Sequence, residues 1–361
     1  MKLPTNITDL FKAAMDIETA KKSVVAVNVF IDESTSREFQ VFVRAGFNSE
    51  SPNSRVMISY VPTQNPDVDA PCDIAVIAAA NSVESVALAA ALKSVNVPTL
   101  VVTEDPEGLK KRAQEMGHPL DDENVVAPKE GQKFHDGIKD DLADEIGSWI
   151  VKAQPEKRLA FSIAYPFVKR PLSLEAVYST SAQNAGIGLV FFLPGADLPL
   201  MVINQAKMVL QIAAAYGHTL SVDRIKELAA VLGSAFVFRT VARLTAGLVP
   251  GLGWAIKTAI AYGGTAAIGN AAVKYFENGG DMAGLAAVVA TARDSFMNGV
   301  SVFKKKPSAK QALSAVSTQA YNFADTSLKQ IAPVLESAGN AITSALKPGR
   351  SSKKKSKKKG K

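Results

Sequence analysis

Apolar residues in the first part of the chain fall into short runs that alternate with segments of helical spacing. The runs rich in Val, Ile and Phe predict strands over 23–31, 39–47, 55–61, 73–80, 98–105 and 124–128. Helical spacing predicts helices over 82–95, 106–116 and 133–153. Parallel strands covered on both faces appear in sequence as continuous apolar runs. We therefore predict an α/β domain with a parallel sheet over residues 1–153.

From residue 154 onward the alternation of β-branched residues disappears, and apolar positions recur every three or four residues. Asp197 is suited to the N-cap of a helix that runs to Tyr216, and Gly217 is suited to its left-handed end. Ser221 is suited to cap the next helix. These features predict an all-α domain.

Later segments complete the predicted organisation. A helix over 222–246, a turn over 247–253 and a small-residue helix over 254–276 are expected, and Asp281 begins a shorter helix. The resulting domains are an all-α helical domain at 154–305, an amphipathic helical extension at 306–346 and a disordered lysine-rich tail at 347–361.

Charge is unevenly distributed along the chain. The formal net charge of the 361 residues is +7, and the stretch from Lys353 to Lys361 contains seven lysines, so the remainder is about neutral. The single cysteine, Cys72, excludes an intramolecular disulfide and favours a reducing compartment. The first residues have no apolar core of a secretory signal, and we expect a cytoplasmic start.

The element order of the first domain resembles the second half of a small GTPase-type domain, which provides a test for a phosphate site. A P-loop needs a glycine-rich turn that ends in Lys and Ser or Thr before a helix. Here the first strand is followed by "DESTSREFQVFV", which has no glycine, no lysine and, with a strand at 39–47, no space for the helix. The position of an Asn-Lys-x-Asp guanine reader holds Thr103 to Pro106. We therefore predict a degenerate GTPase-like domain that does not hydrolyse nucleotide, and interpret Asp105 as an ordinary acidic residue of a strand-to-helix loop.

Other candidate chemistry does not assemble in the sequence. His118, His135 and His218 lie in separate segments without metal-ligand spacing. Cys72 has no evident activating base nearby. We predict no catalytic residue, no metal and no cofactor, and hence a protein that is not an enzyme.

Two stretches, "FFLPGADLPLMVINQAKMVLQIAAAYG" and "GLVPGLGWAIKTAIAYGGTAAIGNAAVKYF", resemble the DUF697 family, a helical domain also found behind Era-like GTPase domains in bacteria. The matching positions are structural ones: Pro194, Asp197, Gln205, Met208, Tyr216, Gly217, Pro250, Gly251, Gly253, Gly264 and Gly269. The resemblance implies membrane association and a regulatory or scaffolding role. It implies GTP binding only where the P-loop is intact.

The physical character of the helical domain leaves two arrangements open. No segment meets the length of about 20 predominantly apolar residues that a clean membrane span needs, yet the glycines and alanines around Gly264 permit close helix packing. Either helical hairpins insert in part, with Trp254, Tyr262, Arg239 and Arg243 at the interface, or a soluble bundle keeps its polar residues inside. The tail lysines are candidate contacts for anionic lipids: Lys353, Lys354, Lys355, Lys357, Lys358 and Lys359.

These observations favour a non-enzymatic, membrane-associated scaffold or regulatory protein on the cytoplasmic side of the membrane. The alternative is a GTP-binding protein with an atypical or partner-completed nucleotide site. The expected partners are a membrane and an unidentified protein or a second copy of the chain. Nucleic acid is disfavoured because the tail has no aromatic residues for stacking, and no small-molecule substrate is expected.

Overall fold

The computed structural model describes residues 5–64, 66–129, 132, 134–190, 198–232 and 253–301. The strands are β1 (Val25–Asp32), β2 (Ser54–Val61), β3 (Ile74–Ala79), β4 (Thr99–Thr103) and β5 (Val125–Val126). The helices of the first part are α1 (Thr5–Ala20), α2 (Arg37–Gly46), α3 (Val83–Ser94), α4 (Pro106–Glu115) and α5 (Asp136–Ala153). Those of the second part are α6 (Arg158–Ala164), α7 (Lys169–Val190), α8 (Leu198–Ala215), α9 (Val222–Leu232), α10 (Gly253–Glu277) and α11 (Leu285–Ser301).

The five strands form one parallel sheet with the order β2-β1-β3-β4-β5. β1 pairs with β2 from Val25 opposite Ser54 to Asp32 opposite Val61, and on its other side it pairs with β3. This is one of the common doubly wound orders, in which the chain moves first to one side of β1 and then to the other. The prediction of a parallel α/β sheet followed by helices is confirmed.

The strand predicted over 39–47 is wrong, because this segment is helix α2. Ser36 accepts a hydrogen bond from the amide of Phe39 and so caps the helix. Phe39 and Val43 are buried one helical turn apart, whereas Val41 between them is half exposed. The β-propensity of Phe and Val in this run suggested a strand, but burial follows the helical period. The inference that no helix fits between β1 and β2 is therefore also wrong.

Each face of the sheet is covered by its own set of helices. One face of β1, β3 and β4 packs with α2, α5 and the helices that follow residue 153. The other face, which includes Phe30 and Ile77, packs with α3 and α4. β1 and β3 are buried at every position, as continuous apolar strands of a covered sheet should be.

The helical part shares a continuous hydrophobic core with the first face of the sheet. Tyr165, fully buried, packs its ring 5.4 Å from that of Phe47, and its hydroxyl lies 3.0 Å from Ser54 Oγ at the start of β2. Helix α1 joins the helical part, because Glu18 Oε1 accepts a hydrogen bond of 3.0 Å from the Leu220 amide. The predicted helices at 198–216 and 254–276 are confirmed as α8 and α10, and Gly217 has the predicted left-handed conformation with φ of 90°.

Contacts at three levels show that α7 runs antiparallel to α8 and α10. Nearest the sheet, Arg170 at the start of α7 forms an ion pair with Glu277 at the end of α10, and the Tyr216 ring, just after α8, stacks on that of Phe276. In the middle, Val177, Met208 and Gly269 meet. At the third level, Asn184 contacts α8 and α10 together. The end of α7 and the beginnings of α8 and α10 therefore lie at the same end of the bundle, away from the sheet.

Several predictions fall outside the described residues. They concern Pro194, Asp197, Pro250, Gly251, Arg239 and Arg243, the helix beyond Leu232, the extension at 306–346 and the lysine-rich tail with all its candidate lipid contacts. Within the part of the chain that is described, none of the helices combines the length and hydropathy needed to cross a bilayer.

Candidate functional site

The candidate site lies where the strand order reverses, at the carboxyl ends of β1 and β3. In open parallel sheets, ligands bind in the crevice outside these ends, at the topological switch point. The loops that lead from β1 to α2, from β3 to α3 and from β4 to α4 all open at this edge. Ser36, Ser82 and Asp105 cap the three helices with their side chains.

Asp32, the last residue of β1, is the centre of this edge. Asp32 is buried, with only 3% of its surface exposed. One carboxylate oxygen accepts hydrogen bonds from the amide (2.9 Å) and the hydroxyl of Ser34. The other accepts from Ser82 Oγ at 2.5 Å and from Ser85 Oγ at 2.7 Å. Residues of the β1–α2 loop and of the start of α3 thus surround one buried carboxylate.

The hydrogen bonds keep Asp32 ionised. Burial alone raises the pKa of this carboxyl, but the hydrogen bonds from Ser34, Ser82 and Ser85 outweigh burial, and the net pKa lies below the ordinary value of 3.8. The group is therefore a buried negative charge at neutral pH.

Glu104 brings a second carboxylate to the same edge from the end of β4. Its two oxygens accept hydrogen bonds from the amide of Ser36 at 3.0 Å and from Ser36 Oγ at 2.8 Å. Because Ser36 lies two residues after Ser34, the carboxylates of Asp32 and Glu104 bracket the β1–α2 loop. The edge is rich in hydroxyl groups and negatively charged.

Asp105 occupies the position at which a guanine reader was tested in the sequence. One carboxylate oxygen caps α4 by accepting from the Gly108 amide at 2.9 Å, and the other accepts from Asn81 Nδ2 at 3.3 Å. Arg112 Nε in turn donates to Asn81 Oδ1 at 2.6 Å. Asp105 thus lies in a strand-to-helix loop, where it caps α4.

The sequence alone did not identify Asp32, Ser82, Ser85 or Glu104 as site residues. The available signal was an aspartate that ends an apolar strand and is followed by three hydroxyl residues, Ser34, Thr35 and Ser36. The criterion for a P-loop depends on glycine and lysine, so it does not detect these oxygen groups.

The predicted motif residues of the helical domain gather in the bundle. Met208 is buried, and its thioether lies beside Gly269. Gly264 approaches the Phe296 ring, and Gly253 is the first residue of α10. Tyr262, predicted for a membrane interface, is instead buried, and burial raises its pKa to about 12.

A polar network crosses the bundle at the third level described above. Asn184 Nδ2 donates to Thr265 Oγ1 at 2.9 Å, and Asn204 Nδ2 donates to Asn184 Oδ1 at 3.0 Å. Gln205 Nε2 also donates to Thr265 Oγ1, at 3.0 Å. Gln205 therefore serves as a hydrogen-bonded amide between α8 and α10, and the network fixes the register of the helices α7, α8 and α10.

Two of the three histidines make structural contacts. His135 caps α5 through Nδ1, and the His218 ring lies 4.7 Å from that of Phe276. Cys72 is half-buried, and burial raises the pKa of its thiol. No group of three or more His, Cys, Asp or Glu side chains suited to a metal ion is present among the described residues.

A groove of about 690 Å³ opens between α2 and α5. Its lining is mostly apolar and includes the half-exposed Val41, together with Phe42 and Phe167. Charged residues on its rim include Arg37 and Glu38. An apolar groove with a charged rim has the composition of a protein-binding surface.

Comparison of the chain with protein-family models, with curated proteins and with solved structures gives no match. The resemblance to the DUF697 family therefore rests on the motif residues alone.

Proposed function

We propose that the protein is a non-enzymatic, membrane-associated scaffold or regulatory protein on the cytoplasmic side of the membrane. In this proposal the helical part docks on the membrane with the end of the bundle that lies away from the sheet. The α/β domain holds a protein partner, for which the apolar groove between α2 and α5 offers a surface.

The observation that carries the proposal is the convergence of helix ends. The ion pair of Arg170 with Glu277 and the stacking of Tyr216 on Phe276 bring the start of α7 together with the ends of α8 and α10. Arg170 also pairs with Asp144 of α5, a helix that covers one face of the sheet. The opposite ends of these three helices therefore lie together. α9 runs toward that end, since it begins near the α1 contact of Leu220 and Val231 O accepts a hydrogen bond from Arg293 Nη1 of α11.

The chain segments that connect these ends have the composition of membrane-surface segments. Residues 191–197 and 233–252 are predominantly apolar, and their charged residues are Asp197, Arg239 and Arg243. Leu200, in the first turn of α8 at this end, is 45% exposed. Apolar residues beside arginines suit an interface with anionic headgroups.

The lysine-rich tail adds an electrostatic contribution to the proposed docking. Each lysine near an anionic surface contributes about 1 kcal/mol, and this contribution decreases with salt. Apolar insertion is much less sensitive to salt. The two contributions can therefore be separated by experiment.

Vesicle flotation of the full chain tests the proposal. The protein should float with vesicles that contain anionic lipid, and part of the binding should remain at high salt or after deletion of residues 353–361. Leu200→Ser should weaken the salt-resistant part. The matched control is Val95→Ser, which replaces a similarly exposed apolar residue at the end of α3 and should leave flotation unchanged. Full-length protein that stays with the soluble fraction on all vesicles would contradict the proposal.

A GTP-binding function with an atypical or partner-completed site is the second candidate. It is favoured by one observation, that α2 follows β1 directly at the switch point, where doubly wound sheets hold their ligands. It is opposed by Asp32 and Glu104, whose charges repel phosphate, and by the lack of glycine and lysine in the β1–α2 loop. Calorimetric titration with GTP and Mg²⁺ distinguishes the candidates, because the scaffold proposal expects no heat of binding.

A further inference from the structure

We propose that two copies of the protein form a symmetric dimer through the outer edge of β2, so that their sheets join into one continuous sheet. The two β2 strands run antiparallel in this dimer, with Met57 of both copies at the two-fold axis. The inference does not depend on membrane docking. It gives self-association a specific surface, in the α/β domain rather than in the helical part.

β2 is a long edge strand of the sheet. It has eight residues and pairs with β1 alone among the described strands, whereas β5 at the opposite edge has only two residues. Residues 54–60 of β2 are exposed or half-buried, although every residue of the neighbouring β1 is buried. An edge strand presents a row of unpaired N–H and C=O groups that favour pairing with another chain. A long, open edge therefore needs a specific account.

The pairing with β1 shows which backbone groups of β2 point outward. Asn53 O accepts a hydrogen bond of 2.9 Å from the Val25 amide. Val61 O accepts one of 2.9 Å from the Glu33 amide. The odd-numbered residues of β2 therefore bond to β1, and the backbone groups of the even-numbered residues point away from it.

Both ends of this outward row are closed by local contacts. The Tyr60 amide donates to Gln64 Oε1 at 2.9 Å, and the Tyr60 carbonyl accepts from the Gln64 amide at 2.7 Å. At the other end, the Ser54 amide donates to Ser51 O at 3.0 Å. The edge is thus protected at its ends, and its middle is left open.

The open middle consists of the outward N–H and C=O groups of Val56 and Ile58. Within the part of the chain that the structure describes, these groups have no hydrogen-bond partner. The side chains of both residues pack against the core on the α2 side of the sheet, so the backbone is held in place. A fixed, extended backbone with unpaired groups is ready to accept a further strand.

The pattern of open and closed groups is complementary to itself under two-fold symmetry. In an antiparallel pair centred on Met57, Val56 of each copy lies opposite Ile58 of the other, and each such pair exchanges both N–H···O bonds. The same register places Tyr60, which is closed, opposite Ser54, whose amide is already bonded. A register centred one residue to either side would set an open residue against one of these closed ends. The edge therefore fits a second copy in one register.

The side chains agree with this register. Arg55, the one charged residue of β2, lies opposite Ser59 of the other copy, so like charges do not face each other across the strands. Met57 lies opposite itself, and methionine is enriched in protein interfaces. Met57 is half-buried and lies outside both hydrophobic cores of the described residues. Contact with a second copy would bury it further.

An extended segment of another protein is the competing occupant, because it can also pair with Val56 and Ile58. The closed positions at both ends limit such a segment to the short middle of the edge. The second copy instead brings an edge that is closed at the matching positions. Self-pairing thus agrees with the whole pattern of the edge, whereas a foreign strand uses only its middle.

Sedimentation velocity of the full chain at increasing concentration, in buffer without lipid, tests the proposal. We expect a reversible equilibrium between monomer and dimer. Met57→Lys and Met57→Glu should each weaken self-association by roughly tenfold or more, because like charges then meet at the axis. An equimolar mixture of the two variants should associate again, because opposite charges then meet there. The matched control is Val83→Lys, which changes an exposed apolar residue of α3 and should leave self-association unchanged.

Amide hydrogen exchange of the original protein provides a readout that needs no variant. The amides of Val56 and Ile58 should exchange more slowly as concentration rises, whereas that of Tyr60, already bonded to Gln64, should change less. Circular dichroism verifies the fold of each variant. A chain that stays monomeric at millimolar concentration overturns the proposal. Equal self-association of the folded Met57→Lys and Val83→Lys variants, or a mixture that does not associate, also overturns it. Vesicle flotation has a separate outcome, so failure of one proposal is distinguishable from failure of the other.

Discussion

Close packing of α7, α8 and α10 around Gly269 gives a prediction whose magnitude follows from the structure. A Cβ atom added at Gly269 would lie 2.5 Å from Val177 Cγ2 and 3.0 Å from both Cε and Sδ of Met208. The methionine side chain can adjust, but valine is β-branched and has restricted χ1. Gly269→Ala should therefore overpack the bundle against Val177.

The expected cost is the difference between two effects. Overpacking costs about 1–3 kcal/mol, and the contact at 2.5 Å places this case near the upper limit. Alanine in a helix interior stabilises by about 1 kcal/mol relative to glycine. Gly269→Ala should thus lower the free energy of unfolding by about 2 kcal/mol. The control is Gly186→Ala in α7, where an added Cβ meets no atom within 4 Å, and this variant should be slightly more stable than the original.

Urea unfolding of the full chain, followed by circular dichroism, measures both variants. The reasoning also predicts rescue. Val177→Ala removes the methyl group that clashes, so the double variant Gly269→Ala, Val177→Ala should lose less stability than the sum of the single variants, by about 1 kcal/mol. If Gly269→Ala stabilises the protein as much as Gly186→Ala does, the packing argument is refuted.

Three further predictions concern polar groups. Asn184→Leu should lower the free energy of unfolding by about 2–3 kcal/mol, because Thr265 and a buried carbonyl lose a donor, whereas Asn278→Leu at an exposed position should have little effect in the same urea experiment. Arg170→Met should cost about 1–2 kcal/mol in that experiment, since its two ion pairs are half-buried and lie between surface and interior pairs in strength. The folded-state pKa of Asp32 lies below its value of 3.8 in the unfolded chain, so the ionised carboxylate stabilises the fold above about pH 4. This contribution is lost as pH falls through the folded pKa. The free energy of unfolding, measured against pH, should therefore decrease less at acidic pH in Asp32→Asn than in the original protein.

The sheet was predictable from sequence because burial and local preference agree in most of its strands. Residues of β1 and β3 are buried on both faces, and such strands produce continuous apolar runs. The segment at 39–47 failed because its aromatic and β-branched residues favour strands locally, while the pairing of Phe39 with Val43 in the core required a helix. The cap at Ser36, three residues before Phe39, was the local signal for the correct assignment.

The acidic edge was beyond sequence reasoning for a different reason. Asp32 meets Ser82 and Ser85 across 50 and 53 positions of the chain, and Ser36 meets Glu104 across 68. Only the strand order β2-β1-β3-β4-β5 brings these loops together. Because the strands β1 and β3 were predicted without their order, the switch point and its side chains were not identified.

The helical part is attached at the amino edge of the sheet, opposite the acidic edge. Asp73, just before β3 and thus at the amino edge of the sheet, accepts from Lys157 Nζ at 2.6 Å and, through its carbonyl, from Gln154 Nε2 at 2.6 Å. Ser49 Oγ donates to the Ala164 carbonyl at 2.8 Å, beyond the end of α2. These contacts hold the helices at the amino edge, whereas the acidic site lies at the carboxyl edge.

A scaffold that joins a membrane to a partner needs two surfaces held by one rigid body. The continuous core from the sheet to α10 supplies the rigidity, since closely packed interiors transmit displacement rather than absorb it. Arg170 reinforces this connection because it pairs with Asp144 of α5 and with Glu277 of α10 at once. A partner bound in the groove between α2 and α5 is therefore held by the same body that carries the docking end of the bundle.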